Sequence, residues 1–455
     1  MLNTFTKTKF HPLAAFAAGA VFATVLVGHA QRAEAATVAV TNCNNSGPGS
    51  LRAKVAAASS GDTVDLGNVG CQKITLTSGA IDVHQADLTI RGPGFRKMSV
   101  SGNSQCSVFR QYNSGGTLRL RGMTIEHGVR ESSLTSQGGC VYSSGNVNLY
   151  DVDVRHCRAI GSGIEPWTQG GGVFALGNVN VAYSGIYSNV VDGGTSGGGY
   201  GGGIWASGKL TLNHARIHNN NAMWQGGGFV AVGGLTMNYT TVSANRAFIG
   251  GGLYVFAPWG SPVGIMNSTI SDNLAEYAIG GIEIYTSGAR SIVLIINSTV
   301  SGNEAPIESA GEVLTPQANT SILNSTIAFN RNVSGTYPAG IHALGLQRLQ
   351  LESSIIANNT MDGSPGVDLG ASRISGANNL VMLNSGAPLP PDTLRSDPML
   401  APLADNGGRT LTHALLQGSP AIDHGSNVGE LPYDQRGVVF PRVKGARADI
   451  GAFER

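Results

Sequence analysis

A period of about 28 residues runs through most of the chain and constrains the fold more than any other feature. Segments starting at Leu118, Val147, Val179, Leu210 and Leu235 read LRLRGMTIEHG, VNLYDVDVRHC, VNVAYSGIYSN, LTLNHARIHNN and LTMNYTTVSAN. IMNSTISDN, IINSTVSGN, ILNSTIAFN and LESSIIANN continue the series. Each alternates apolar residues, passes a small or hydroxyl residue, places an aliphatic one and usually ends on asparagine. Asn189, Asn219, Asn245, Asn273, Asn303, Asn330 and Asn358 fill that slot at intervals of 30, 26, 28, 30, 27 and 28 residues. Cys157, Gly128 and Asn103 hold it in earlier repeats. Between these segments lies a glycine-led one: GGCVYSSG, GGGVFALG, GGGIWASG, GGGFVAVG, GGGLYVFA, GGIEIYTS and AGIHALG. Period-2 alternation predicts strands, and glycine or asparagine at their ends predicts turns. No helical stretch intervenes. Short strands at this period bury their apolar faces only by stacking on the next repeat, which makes a solenoid of parallel sheets.

The expected fold is therefore all-β: a right-handed parallel β-helix of about eleven coils over roughly residues 60–382. Inward Val, Ile and Leu form its core, and the asparagines read as structural rungs, since Asn tolerates left-handed backbone and stacks in hydrogen-bonded ladders. The NST triplets at Asn267, Asn297 and Asn324 recur with the coil and read the same way. A solenoid needs covered ends. Residues 50–58 predict a short helical lid with Ser50 as N-cap. After Met382 the repeats fade into Gly386-Ala387-Pro388-Leu389-Pro390-Pro391, a connector to a small capping module.

The N-terminus predicts export. Lys7, Lys9 and His11 precede an apolar run from Leu13 to Val27, followed by Ala33-Glu34-Ala35. That is the pattern of a signal peptide, cleaved between Ala35 and Ala36. The domain reading is thus residues 1–35 as signal peptide, 36–382 as β-helix with its cap, and 383–455 as connector and C-terminal module. Losing Lys7, Lys9, Arg32 and Glu34 leaves 26 basic and 27 acidic residues. So balanced a charge argues against nucleic acid or an anionic membrane as partner. No second apolar stretch reaches spanning length. Of five cysteines, Cys43 and Cys71 bracket the N-terminal segment and are the expected disulfide; Cys106, Cys140 and Cys157 stay ambiguous. No C-x-x-C occurs, and neither metal nor cofactor is expected.

The Gly-Gly-aliphatic and aliphatic-x-x-Asn pairing resembles the GGAI/FxxN repeats of polymorphic outer-membrane proteins. The C-terminal region is more similar to that of bacterial β-helix proteins carrying a choice-of-anchor Q region. The motifs are Asp397-Pro398-Met399-Leu400, Leu403-Ala404-Asp405-Asn406-Gly407-Gly408, Gly418-Ser419-Pro420-Ala421-Ile422-Asp423, Asp434-Gln435-Arg436-Gly437 and Asp449-Ile450-Gly451-Ala452-Phe453-Glu454. The resemblance implies this fold and export. Since the sequence stops at Arg455 without an anchor or barrel, it also implies release to the periplasm or medium. It implies no specific chemistry. Asp423, Asp434, Asp449, Glu454 and Arg442 read as a structural cluster, because an Arg can hold carboxylates in a small module.

Enzymatic signatures are sparse. Glycoside hydrolysis needs a pair of carboxylates, and on stacked coils these appear at one register in neighbours. Asp151 and Asp153 lie two apart, but the next coils offer Tyr183 and Gly185, then His214 and Arg216. One pattern stands out in the glycine-led strands. Alternation sends Val141, Val173, Ile204, Phe229, Leu253 and Ile282 inward, so Tyr142, Phe174, Trp205, Val230, Tyr254 and Glu283 point outward. Loops bearing Trp167, Tyr200, Trp224 and Trp259 adjoin these strands. Two readings stand: a flat aromatic strip for stacking sugars or docking a partner, or rings buried by folded-down loops. The expected function is a secreted or surface-associated recognition scaffold for glycan or cell-surface ligands. A polysaccharide lyase or hydrolase on the same fold is second, and a purely structural extracellular protein third.

Overall fold

In the computed structural model the described residues are 35–455, except 195–196, 259, 288–290, 307–310, 315–318, 334–336 and 344–347; at 287 and 312–314 only the backbone is described. The proposed signal segment and Trp259 therefore lie outside the described residues. The chain winds as a parallel β-helix, right-handed as parallel crossovers are, whose strands fall into three sheets. One coil shows the plan. Ile204–Ala206 belongs to the glycine-led sheet, and Leu210–Asn213 and Arg216–His218 to the longest sheet. Asn221–Gln225 belongs to a third sheet built from residues the sequence reading assigns to loops. Registers run straight from coil to coil: Leu210 beside Leu235 and then Val263, Ile217 beside Val242 and then Ile270. These residues are at most 1% exposed, so the aliphatic columns are the core.

Local backbone demands explain the recurring polar triplets. The long sheet bends between its two strands at a residue with positive φ: Tyr183, His214, Tyr239, Asn267, Asn297 and Asn324 in successive coils. Asn meets that demand at least cost among non-glycine residues. In each NST triplet the Asn sits at the bend and the Ser is fully buried. Ser298 Oγ, for example, donates to Ile296 O and accepts from Ser268 N.

The asparagine ladder is real but shifted at two rungs. It runs through Asn189, Asn220, Asn245, Asn273, Asn303, Asn330 and Asn359 to Asp368. Asn219 and Asn358, named from the spacing, instead take the adjacent left-handed position, with φ of 54° and 58°. Each rung donates its amide to the next rung's Oδ1 at 2.9–3.0 Å and to a core carbonyl beside it, as Asn245 does to Ile217 O. The next coil's backbone and the ladder together explain the third glycine of the GGG triplets. A Cβ on Gly203 would stand 2.5 Å from Gly228 O and 3.1 Å from the Asn220 amide. One on Gly252 would meet Gly281 O first and then the Asn273 amide at 3.0 Å.

Cysteines replace the ladder at its start. Cys140 and Cys157 form a disulfide, and Cys157 N donates to Asn189 Oδ1. Cys43 pairs with Cys71 as expected, and Cys106 is free. The lid helix spans Leu51–Ala57 with Ser50 accepting from Ala53 N, and it buries Leu51 and Val55. An unforeseen strand, Thr37–Ala39, pairs with Thr63–Asp65.

The C-terminal module does more than cap. Leu394 extends the long sheet past Leu380. The remaining segment turns back along that sheet's outer face, where Leu415, Ala421, Ile450 and Phe453 pack on Ile355, Ala357 and Leu380. Gln435 Nε2 donates to Thr269 Oγ1, and Thr299 Oγ1 donates to Gln435 Oε1. Ser301 bonds His413, and Thr410 reaches Asn267 O. The charged residues noted from sequence hold the module together. Arg442, 1% exposed, pairs with Glu454 at 3.1 Å and donates to the carbonyls of Asp449 and Gly451. Arg436 pairs with Asp434 and lies against the rings of Phe440 and Phe453. Among the described residues no helix is long and apolar enough to cross a membrane.

Candidate functional site

The outward column of the glycine-led sheet has the register expected for Tyr142, Phe174, Trp205, Val230, Tyr254 and Glu283. It is not a bare strip. Phe174 and Val230 are each 1% exposed; Tyr142, Trp205, Tyr254 and Glu283 are half-buried. The cause is the corner before each strand, where the third sheet's last residues converge on the column. Tyr200 sets its ring edge on Trp205 at 5.9 Å, and Trp205 Nε1 donates to Ser207. Burial, then the nearby Glu283 charge, pushes the Tyr254 hydroxyl up to about 12.

The exposed aromatics lie elsewhere and stack on one another. Trp224, Phe248 and Tyr277 stack on the third sheet at 5.0 Å per step, with Trp224 and Tyr277 more than 40% exposed. Trp167 stacks on Tyr200 at 5.6 Å, and Tyr142 on Phe174 at 5.5 Å. Rings one coil apart lie nearly parallel, so Phe248 has a ring on both faces, whereas Trp167, 59% exposed, stacks on one face alone. A sugar stacks on a ring face, and within these ladders only end rings such as Trp167 have a face without a ring partner among the described residues.

A polar cleft of about 690 Å³ instead opens on the long sheet. Its floor carries outward side chains from consecutive coils: Thr124, Asp153 with Arg155, Tyr187, and Arg216 with His218. One wall is the turn containing Phe95, Arg96 and Lys97, pinned where Thr124 Oγ1 donates to Phe95 O at 2.6 Å. Arg216 also lines an adjoining hollow of about 270 Å³, beside Tyr183, His214, Tyr239 and Arg409 of the C-terminal module. Arg216 thus joins the two into one groove.

The floor is a linked network. Tyr187 donates to Asp153 Oδ2 at 3.2 Å and accepts from Arg155 Nη1 at 3.3 Å. Arg155 also clamps Glu126 Oε2 through Nε and Nη2, while Lys73 pairs with Glu126 from the other side. Burial opposes the Glu126 charge, but Arg155 and Lys73 outweigh it and hold the carboxyl below its usual range. Asp153 goes the other way: burial raises it more than the bond from Tyr187 lowers it. His218 stacks on Tyr187 at 4.8 Å, and burial followed by the Arg216 charge pushes its imidazole below its ordinary value. The cleft therefore offers four cations, Arg96, Lys97, Arg155 and Arg216, around one half-buried carboxylate.

Sequence reasoning reached Asp153 and Arg216 in one register but searched it for acids, and so passed over the basic and aromatic residues there. Arg155, Tyr187 and His218 stand two residues further along the same strands, on the same face. Among the described residues no group of three or more His, Cys, Asp or Glu side chains could hold a metal ion. No family model and no curated protein sequence matches the chain. A solved crystal structure of pectate lyase Pel9A is similar at 14% identity and a TM-score of 0.44, covering 93% of this chain and 98% of that one. A likeness so remote assigns no residue of the cleft.

Proposed function

We propose that the protein is an exported β-helix recognition scaffold that binds a glycan or cell-surface saccharide along the long-sheet groove. The observation that carries this reading is the groove itself, whose donors and acceptors are fixed in register by the coils beneath it. Two disulfides and the charged-apolar-A-x-A start support an extracellular or periplasmic address. The half-buried Asp153 favours a second reading, a carbohydrate-active enzyme, because a carboxyl raised by burial can deliver a proton. Hydrolysis needs a second carboxylate, and the nearest candidate, Glu126, is committed to Arg155 and Lys73. Recognition is therefore the stronger reading.

A glycan array probed with the full chain tests it, with parallel assays for new reducing ends and unsaturated products. Tyr187→Ala should weaken binding by about tenfold, as loss of a central contact does. Trp224→Ala, on the ring ladder, should leave binding unchanged. Absence of glycan binding, or indifference to Tyr187→Ala in a folded protein, would sink the proposal. Product formation lost in Asp153→Asn would move it to the enzymatic reading.

A further inference from the structure

We infer that the groove's ligand is an acidic saccharide chain, carrying carboxylate or sulfate groups, that lies along the helix axis; this rests on the glycan reading above. The groove crosses six coils in unbroken register, through Ser99, Thr124, Asp153, Gly185, Arg216 and Thr241. Five steps of ~4.8 Å give it a length of roughly 24 Å. Such a length fits a polymer better than a single sugar.

Some surface arginines elsewhere are matched, Arg91 with Asp65, Arg119 with Asp87, Arg246 with Glu276 and Arg331 with Glu304. The exposed Arg121, Arg158 and Arg373 have no ion pair among the described residues. What sets the groove apart is that its cations are gathered around one concave floor. In the groove, among the described residues, Arg216, Lys97 and Arg409 make no side-chain hydrogen bond or ion pair, and Arg96 meets only the Phe95 ring. Cations that outnumber the carboxylate in a concave site focus a positive potential there, and Asp153, which feels Arg216 and Arg155, offsets only part of it. They are spread from the Phe95 wall to the C-terminal module, which suits anionic groups repeated along a chain. Asp153 adds an acceptor for a sugar hydroxyl and works against uniformly dense phosphate. Nucleic acid fits less well for a second reason. Single strands are held by bases stacking on open ring faces, and here Tyr183 stacks on His214 at 4.8 Å while Tyr239 tilts against the other side of His214 at 5.1 Å.

The test titrates the full chain with polygalacturonate, chondroitin sulfate, neutral dextran and an oligo-dT strand at two salt concentrations. Acidic polymers should bind, and more weakly at higher salt. Arg216→Gln should weaken that binding by about tenfold, the scale of one charge-assisted contact. Arg409→Gln should weaken it too, while Arg246→Gln on the third sheet should not. Both groove residues are exposed, so unchanged melting temperatures should accompany the loss. Equal binding of dextran, insensitive to salt and to Arg216→Gln, would overturn the acidic ligand but keep the glycan reading. Acidic binding indifferent to both groove variants would overturn the groove as its place. Oligo-dT bound above every saccharide would make this a nucleic-acid groove, and no saccharide bound at all would end both proposals.

Discussion

The long sheet's outer face has two halves that share one backbone plan and differ in what stands on it. In the coils up to Arg216–His218 the outward pairs are Thr124 and Glu126, Asp153 and Arg155, Gly185 and Tyr187, then Arg216 and His218. From Thr269 onward they become Thr269 and Ser271, Thr299 and Ser301, Thr326 and Ala328, then Ile355 and Ala357. The second set is buried under the C-terminal module; of the first, Asp153, Arg155, Tyr187, Arg216 and His218 reach the groove, while Thr124 and Glu126 are buried in its floor. Hydroxyls there bond module atoms and aliphatics there pack on Leu415 and Ile450, so the module selects small residues beneath it. Where it stops, long charged side chains begin. The groove is thus the part of the face that the module leaves uncovered, with Arg409 at its rim.

Exchanging the two kinds of residue is the strongest way to break this comparison. Ala328→Arg would place an unpaired charge and extra volume under the module at a fully buried position. It should cost about 3–5 kcal/mol, the scale for an uncompensated buried charge. Limited proteolysis should then cut within residues 383–455. Ser243→Arg, on the half-buried open side, should change stability by less than about 0.5 kcal/mol. Similar melting curves for the two variants would show that the halves do not differ in the way described.

The coil itself was legible in the sequence because inward alternation and glycine corners repeat, and repetition survives small errors of register. The rung shifts at Asn219 and Asn358 show the limit. Two adjacent asparagines both suit the corner, one for its left-handed backbone and one for its ladder amide, and spacing alone does not separate them. The aromatic column has the register read from the sequence, but its burial depends on the third sheet. Those strands lack clean alternation, so the segments holding Trp167, Tyr200 and Trp224 read as loops. The groove stayed hidden because its walls come from two segments distant in sequence, the Phe95 turn and the Arg409 rim, each bordering a hollow that Arg216 lines. The folding back of the module left no periodic signal either. A register table would have shown its trace, since small residues replace charged ones from Thr269 onward.

A second contrast separates two carboxylates. Asp368 ends the asparagine ladder, 1% exposed, accepting from Asn359 N, Asn359 Nδ2 and Leu383 N. Burial dominates these bonds and raises its pKa from 3.8 to about 6. A folded-state pKa above the unfolded one means the folded chain binds the proton more tightly. The associated stability is complete below about pH 4 and is lost as pH rises through about 6. At 1.36 kcal/mol per unit the change is about 3 kcal/mol. Melting temperature should therefore rise as pH falls from 7 to 4.5, against the background of other groups. Asp368→Asn should remove that rise, and should also lower stability throughout, since its amide would confront Leu383 N–H. A slope unchanged in Asp368→Asn would show that the ladder's end does not titrate as described.

The smallest expected effect belongs to the open half, where Asp153 is also raised but only half-buried, and where Tyr187 restrains the rise. Tyr187→Phe keeps the ring that stacks on His218 and removes the hydroxyl between Asp153 and Arg155. Stability should fall by no more than about 1 kcal/mol, because solvent replaces a half-exposed bond. The Asp153 carboxyl should nevertheless titrate higher than in the parent, since the bond that lowered it is gone while burial stays. Carboxyl-carbon NMR across pH 3 to 8 reads this directly. A downward move of Asp153 would mean that Arg155, freed from Tyr187, swings toward Asp153 and replaces the lost bond with an ion pair. The groove would then owe its balance of charge to Arg155 and not to the tyrosine, and Arg155 would become the residue to vary in every binding experiment.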